Sequence, residues 1–383
     1  MKLTDKGKKD VLDLGMSKLF KTMVVWGVVL AACLFSGGSV WAQSSANQIE
    51  TYEARIVKIL EDREIELEGV TQPYQKLEAI ILNKDKKGQI LIIENGNLPL
   101  ANVVKYKEDD KVLVNAAQDL AGEEMYVIID SVRTDSLILL GIIFILMTML
   151  VTKLRGVMAL LSLVASFLVI FYFLLPKIYE GWDPVLTASL ASAVIIPITF
   201  YMSHGFNKKT SVAVLGTLIA LIITGLMAKI FIELSSLQGM SSEEAGFLAG
   251  IKKGAVDMRG LLLAGIMIGA LGVLDDVTVS QSSIVQQLRE ASDKLKPKEI
   301  YAKAMKVGQD HITSMINTLI LVYTGVSLPL LLIFVDNPHP FGEIVNYEFI
   351  AEEIVRTLVG SIGLILAVPI TTLIAVGVFG KKR

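Results

Sequence analysis

Two adjacent carboxylates, Asp275 and Asp276, interrupt the apolar run Gly269-Ala270-Leu271-Gly272-Val273-Leu274-Asp275-Asp276-Val277-Thr278-Val279-Ser280-Gln281-Ser282-Ser283. On a helix that starts at Gly260, a rise of about 1.5 Å per residue carries Asp275 roughly 22 Å along. That depth falls in the inner half of a hydrocarbon core about 30 Å thick. An aspartate at the centre of a membrane-crossing helix costs about 2.5–3.5 kcal/mol on insertion scales. Two of them should therefore face the interior of a helix bundle, where side by side they repel each other when both are ionised. Acids that gain and lose protons at membrane depth are the parts of a proton relay.

Helical spacing groups Asp275 with Thr278 and Ser282, and Asp276 with Ser280 and Ser283, on adjoining faces. The next apolar run carries His311, Thr313, Ser314, Asn317, Thr318, Thr324 and Ser327. Asn317 lies at lipid depth and needs a polar partner, and the aspartate pair is the natural one. The sequence thus predicts two helices touching through polar faces, with Asp275, Asp276, Thr278, Ser280 and Asn317 as relay residues. The competing reading places the bilayer edge near Leu274, so that the aspartates mark a helix end and the Asn and Thr side chains only join neighbouring helices, at about 0.6 kcal/mol per contact. Gly265, Gly269 and Gly272 form a small-residue stripe on the same helix, which predicts close packing against another helix.

Other chemistry is missing from the sequence. It has no Gly-x-x-x-x-Gly-Lys-Ser/Thr phosphate loop, no His-Glu-x-x-His and no Gly-x-Ser-x-Gly. The single cysteine, Cys33, allows neither an internal disulfide nor a thiolate zinc cage, and His204, His311 and His339 have no ligand spacing. An intramembrane aspartyl protease needs a second aspartate on a neighbouring span, where this chain offers Asn317 and Thr318. We therefore expect no enzyme, catalytic residue, metal or cofactor. The net charge of −2 supplies no basic field for nucleic acid.

The elements that must hold these residues follow from composition. Of 383 residues, 53% are apolar and 19% charged, against about 25% charged in an ordinary soluble domain. The shortfall comes from runs long enough to cross a bilayer, which excludes a soluble enzyme. Spans are predicted at 136–152, 157–175, 184–203, 210–232, 260–280, 312–335 and 360–379, seven in all. Residues 1–42 hold a further apolar run that admits three readings. It is a signal peptide cut after Val40-Trp41-Ala42, a lipobox at Leu30-Ala31-Ala32-Cys33, or a retained first helix.

Residues 43–135 alternate in polarity instead, over Tyr52–Ile59, Arg63–Glu68, Lys76–Leu82, Gln89–Glu94, Lys111–Ala116 and Met125–Ser131. Six short strands predict a small all-β domain of the OB-like barrel kind, with too few aromatics to stack single-stranded nucleic acid. Basic residues concentrate in alternate loops: Lys153 and Arg155, Lys208 and Lys209, the 289–306 segment, and Lys381 to Arg383. By the positive-inside rule these are cytoplasmic, leaving residues 43–135 extracytoplasmic and the C-terminus cytoplasmic. Residues 281–311, charged and broken at Pro297, predict two amphipathic helices in a cytoplasmic connector. Pro197, Pro329 and Pro369 are expected to kink their spans, and Lys229 to snorkel to the interface.

The stretch from Gly269 to Arg289 and that from Gly308-Gln309-Asp310-His311 to Leu328-Pro329, with Asn317-Thr318-Leu319 and Tyr323-Thr324-Gly325, resemble the YibE/F-like family of bacterial membrane proteins. Gly88-Gln89-Ile90-Leu91-Ile92-Ile93-Glu94-Asn95 looks like that family's strand after a turn. The resemblance implies a multi-spanning bacterial cytoplasmic-membrane protein with an extracytoplasmic N-terminal domain, and no established activity. More locally, Gly272-Val273-Leu274-Asp275-Asp276 resembles the Asp-Asp helix of RND-type proton-driven permeases, and the polar helix after the connector is similar to the SecDF arrangement. That similarity implies a proton-carrying pair. The soluble domain is smaller here, and the spans after it are more numerous than in a permease half. The expected function is a proton-coupled transporter or export-assisting protein, and the alternative is a non-transporting scaffold or sensor whose β domain binds a partner. Expected partners are the lipid bilayer and a second copy or a related membrane chain lacking the β domain.

Overall fold

The computed structural model describes residues 50–67, 69–99, 103–118, 124–252, 256–336 and 340–380. The signal-peptide, lipobox and first-helix readings of residues 1–42 and the basic end 381–383 lie outside these residues. The chain divides into two compact units at Met147/Thr148.

In the first unit, strands β1 (Thr51–Leu67), β2 (Val70–Ile81), β3 (Ile90–Asn95), β4 (Lys111–Gln118) and β5 (Glu124–Ser131) form one antiparallel sheet in the order β3-β2-β1-β4-β5. The period-two pattern places Tyr52, Ala54, Ile56, Leu77, Ala79, Ile81, Leu91, Ile93, Val112 and Val114 on one buried face. Two of the six predicted strands are one: β1 runs through the expected break after Ile59. The break survives only as irregularities in register between Ile56 and Lys58 and between Ile59 and Glu61. A bulge bends and twists a strand without ending it, which is why a polar interruption there leaves the pairing intact.

The expected barrel is likewise corrected, because the sheet does not close. Edge strands β3 and β5 share no backbone ladder. The chain leaves β3 at Gly96, whose positive φ of 84° and close approach to the Pro73 carbonyl admit no side chain. The following segment is tied to β2 by Gln72 Nε2 donating to the Gly96 and Leu98 carbonyls, at 2.7 Å each. Gln75 exchanges two bonds with the Tyr106 backbone. Across the open seam, side chains of the described residues reach one another. Lys86 Nζ donates to Glu124 Oε2 at 2.8 Å and to Tyr126 Oη at 3.0 Å.

Helix α1 (Thr134–Thr152) lies mostly in the first unit and crosses into the second, whose further helices are α2 (Leu154–Val169), α3 (Leu175–Tyr179), α4 (Pro184–His204), α5 (Lys208–Leu234), α6 (Glu243–Lys252), α7 (Met258–Ala291), α8 (Pro297–Val326), α9 (Leu328–Asp336), α10 (Phe341–Ile344) and α11 (Glu348–Phe379). A π-helical turn, Ile170–Leu174, joins α2 to α3 just before Pro176, whose ring and missing N–H disturb the preceding ladder. Helices α4 and α11 continue through Pro197 and Pro369.

Among the described residues, six helical segments are long and apolar enough to cross a membrane: α1, the α2–α3 segment, α4, α5, α7 and α11. The expected seventh, 312–335, is the second half of α8 joined to α9 at Ser327. Pro329 cannot donate to the Gly325 carbonyl and crowds it, so the helix breaks there. The polar residues Gln309, Asp310, His311 and Asn317 dilute the apolar run before the break.

Helices α5, α7 and α11 form the centre of this unit, with α4 and α8 packed around them. The predicted connector breaks between Ala291 and Pro297 as expected, but its helices are extensions of α7 and α8. Their apolar faces pack together through Val285, Ile300 and Ala304, with Val212 and Ala375, rather than lying in solvent.

The Lys86 ammonium and the Tyr126 hydroxyl hold the Glu124 carboxyl below its ordinary value. Its contribution to stability is therefore present above the usual carboxylate range and lost as pH falls through that range. In the intact protein, the protection factors of β3 and β5 amides, corrected for the intrinsic exchange rate at each pH, should fall on that acidification. In Lys86→Met that protection should already be reduced at neutral pH and change little with acid.

Candidate functional site

Helix α7 places both aspartates in its second half, and its neighbours fix their depth. Ser282 Oγ donates to the Lys209 carbonyl in the first turn of α5 at 2.9 Å. That bond marks the level where α5 begins at the Lys208-Lys209 pair. Asp275 stands seven residues earlier, about 10 Å further into the bundle. The buried side of α7 carries Leu274, Val277, Thr278, Gln281 and Ser282. Asp275, on the flank of that side, is half-buried, and Asp276, about 100° further round, is exposed. Among the described residues no side chain or backbone N–H donates to either carboxylate.

The polar residues near the pair divide into two sets. Thr278 is fully buried and shares a 2.7 Å hydrogen bond with Thr217 Oγ1 of α5. Gln281 Nε2 donates to the Ala304 carbonyl of α8 at 2.9 Å and to Thr372 Oγ1 of α11 at 2.7 Å. These bonds, with that of Ser282, hold α7 against three neighbours and leave Thr278 no role at the carboxylates. Ser280 is half-buried and its hydroxyl has no partner among the described residues.

The predicted pairing of Asn317 with the aspartates does not form. Gly308 abuts Gln281 and Val368, and Gly269 faces Tyr323 Oη. Midway between those contacts, Asp275 stands level with Met315 of α8. Asn317 is thus near the right depth, but it is exposed, as are Thr313, Ser314 and Thr318. The three hydroxyls donate back to carbonyls of their own helix. The physical reason is that α8 packs through its small and apolar residues, Ala304, Gly308, Ile312, Met315 and Leu319, which turns the polar side outward.

The glycine stripe makes no close contact among the described residues of this chain. A side chain at Gly265 or Gly272 would meet nothing within 4 Å, and at Gly269 only Tyr323 Oη, at 3.5 Å. Close packing occurs instead at Gly216, Gly308 and Gly363. A Cβ there would overlap Thr371 Oγ1, Val368 and Thr224 Oγ1 respectively. Single glycines opposite threonines carry no motif along one helix, so only the pairing of helices reveals them.

One more residue joins the site. His204, which ends α4, feels the charges of Lys209, Arg155 and Asp276. A signal for it existed in its place at the end of a span beside the Lys208-Lys209 loop. At the other end of α4, α5 and α7, a cleft of ≈ 480 Å³ is lined by Asp183, Lys229, Glu233, Asp257 and Arg259. Lys229, exposed there, has the predicted place near the end of its helix.

Several long apolar helices around a small-residue centre, with acids on a helix flank, define a polytopic α-helical membrane protein. Residues 140–381 match the YibE/F-like protein family, and the chain belongs to it. No curated protein and no solved structure matches the chain.

Gly363→Val should lower the unfolding free energy in detergent by about 1–3 kcal/mol, because the added branches overlap Thr224. Gly272→Ala, with open space around it, should be neutral or slightly stabilising, since alanine is the better helix former by about 1 kcal/mol.

Proposed function

We propose that this protein is a proton-coupled transporter, or an export-assisting protein, of the bacterial cytoplasmic membrane. Asp275 and Asp276 alternate in holding the proton. The observation that carries the reading is the pair itself: two carboxylates about 10 Å inside the end of α5, accepting no hydrogen bond from the described residues, one half-buried and one exposed. A carboxylate with fixed donors is locked in one charge state, whereas this pair is free to change it. Ser280, one turn from Asp276, and Asn317, at the same depth, guide the proton, and Thr278 is an anchor rather than a carrier. His204, Lys209 and Arg155 set the potential on the side where Asp276 opens.

In this scheme the β domain is extracytoplasmic and contacts the cargo, and the C-terminus is cytoplasmic. The protein performs no covalent catalysis and needs no cofactor. Gly265, Gly269, Gly272 and Asp276 are all exposed at i, i+4, i+7 and i+11 along α7, a face suited to a second copy or a related membrane chain.

The rival is a scaffold or sensor, and the bonds Thr217–Thr278 and Gln281–Thr372 favour it, because they hold the centre by dry polar contacts. The deciding measurement needs no substrate. Native membranes are treated with an apolar carbodiimide across a pH series, and adducts are mapped by mass spectrometry. The reagent prefers protonated carboxyls in water-poor surroundings. The relay reading expects an adduct at Asp275 that persists to near-neutral pH and disappears in Asp275→Asn. If a control site is labelled and both aspartates stay unmodified, the pair is permanently ionised and the scaffold reading replaces the relay.

A further inference from the structure

The first two turns of α11 hold a buried acid that the relay does not use. At 32 residues, α11 is about 48 Å long and exceeds a hydrocarbon core of about 30 Å. Its polar start, Glu348 to Arg356, carries Glu348, Glu352, Glu353 and Arg356 before the apolar run begins. Glu352 is only 6% exposed. Its Oε2 is 2.6 Å from Ser241 Oγ, in the segment between α5 and α6. Its Oε1 is buried with no partner among the described residues.

Arg356, one turn along the same helix, has the complementary defect. Its Nε is buried without a partner among the described residues, and its Nη1 is paired with Glu353 Oε1 at 2.8 Å. Residues four apart on a helix are neighbours, yet Glu352 and Arg356 form no ion pair with each other. The charged groups acting on Glu352 are Glu348, Arg356 and Glu353. Glu348 is itself engaged, accepting from the backbone N–H groups of Gln238 and Gly239.

A buried carboxylate oxygen with no donor is a strongly unfavourable arrangement, and an adjacent unsatisfied guanidinium N–H that fails to reach it compounds the fault. The first fault is resolved if the acid is uncharged. A proton on Oε2 donates to Ser241 Oγ, and Oε1 becomes a neutral carbonyl oxygen, far less costly to bury than half of a charge. Arg356 then has no reason to leave Glu353.

We propose that Glu352 and Arg356 form a proton-exchange site at the α5–α6 end of the bundle, in which Glu352 holds a proton while Arg356 pairs with Glu353. When the O–H bond of Glu352 breaks and the proton passes to water, Arg356 swings from Glu353 to the ionised Glu352. The guanidinium takes the proton's place beside Glu352, Glu353 is left ionised without it, and the net charge of the three groups falls by the one unit the proton carried away. This second proton-binding site goes beyond the aspartate relay and stands on its own geometry.

The test reads Glu352 alone. The full chain carrying Asp275→Asn and Asp276→Asn is reconstituted in lipid vesicles and stepped from neutral to alkaline pH under infrared difference spectroscopy. The expected result is loss of a protonated carboxylic C=O band. Adding Glu352→Gln abolishes that band, and Glu352→Asp, which keeps an acid, displaces it. Arg356→Gln should retain the band through a step at which the parent loses it. Absence of the band in the aspartate-free background, or its survival in Glu352→Gln, overturns the site. An unchanged titration in Arg356→Gln overturns the exchange. Because the aspartates are absent throughout, failure here is distinct from failure of the relay.

Discussion

The membrane unit depends on two reciprocal contacts between α5 and α11. Gly216 lies under Thr371, and Gly363 lies under Thr224, so each helix offers a gap where the other offers a side chain. Lipid tails are as apolar as the helices, so hydrophobic burial cannot drive such helices together. Close backbone approach and the dispersion it brings must do so. A side chain at either glycine would hold the helices apart. The threonines that fill the gaps are fully buried. Thr224 returns its hydroxyl to the Ala220 carbonyl of its own helix.

This pair of helices then sets the rotation of α7. Thr217 of α5 and Thr372 of α11 each hold one side chain of α7, Thr278 and Gln281. Once those two point inward, the helical repeat leaves no choice for the residues between and beside them. Asp275 falls on the flank, and Asp276 and the glycine stripe fall outside. The exposure of the aspartates is thus a consequence of a contact made by other helices. The polar groups of the span consequently divide in two: buried ones hold helices together, and those on the open side make no such contact among the described residues.

The β unit rests on different physics. Its core is one alternating face, closed off by glutamines rather than by a sixth strand. Gln72 and Gln75 on β2 satisfy the backbone of the segment between β3 and β4, which would otherwise leave polar groups unpaired above Tyr106 and the buried face. Apolar residues remain on the other face, Ile90 and Ile92 of β3 and Val127 and Ile129 of β5 among them, on strands whose outer edges have no backbone partner.

The sequence alone determined whatever is local. Bilayer thickness turns run length into spans, so α1, α4, α5, α7 and α11 were legible, and residues 140–381 carry the family. Period-two alternation marked the strands, and Pro297 marked the start of α8. Tertiary structure alone decided whatever depends on a partner's shape. Asn317 at the right depth still faces away from Asp275, because α8 packs through Gly308 and its neighbours. Gly265 and Gly272 match a packing pattern but meet nothing within the chain, whereas isolated Gly216 and Gly363 make the close contacts between α5 and α11. The sheet stays open because the chain turns out of β3 at Gly96. A helix's periodicity shows which residues share a face, but which face is buried depends on complementary gaps and side chains far away in the chain.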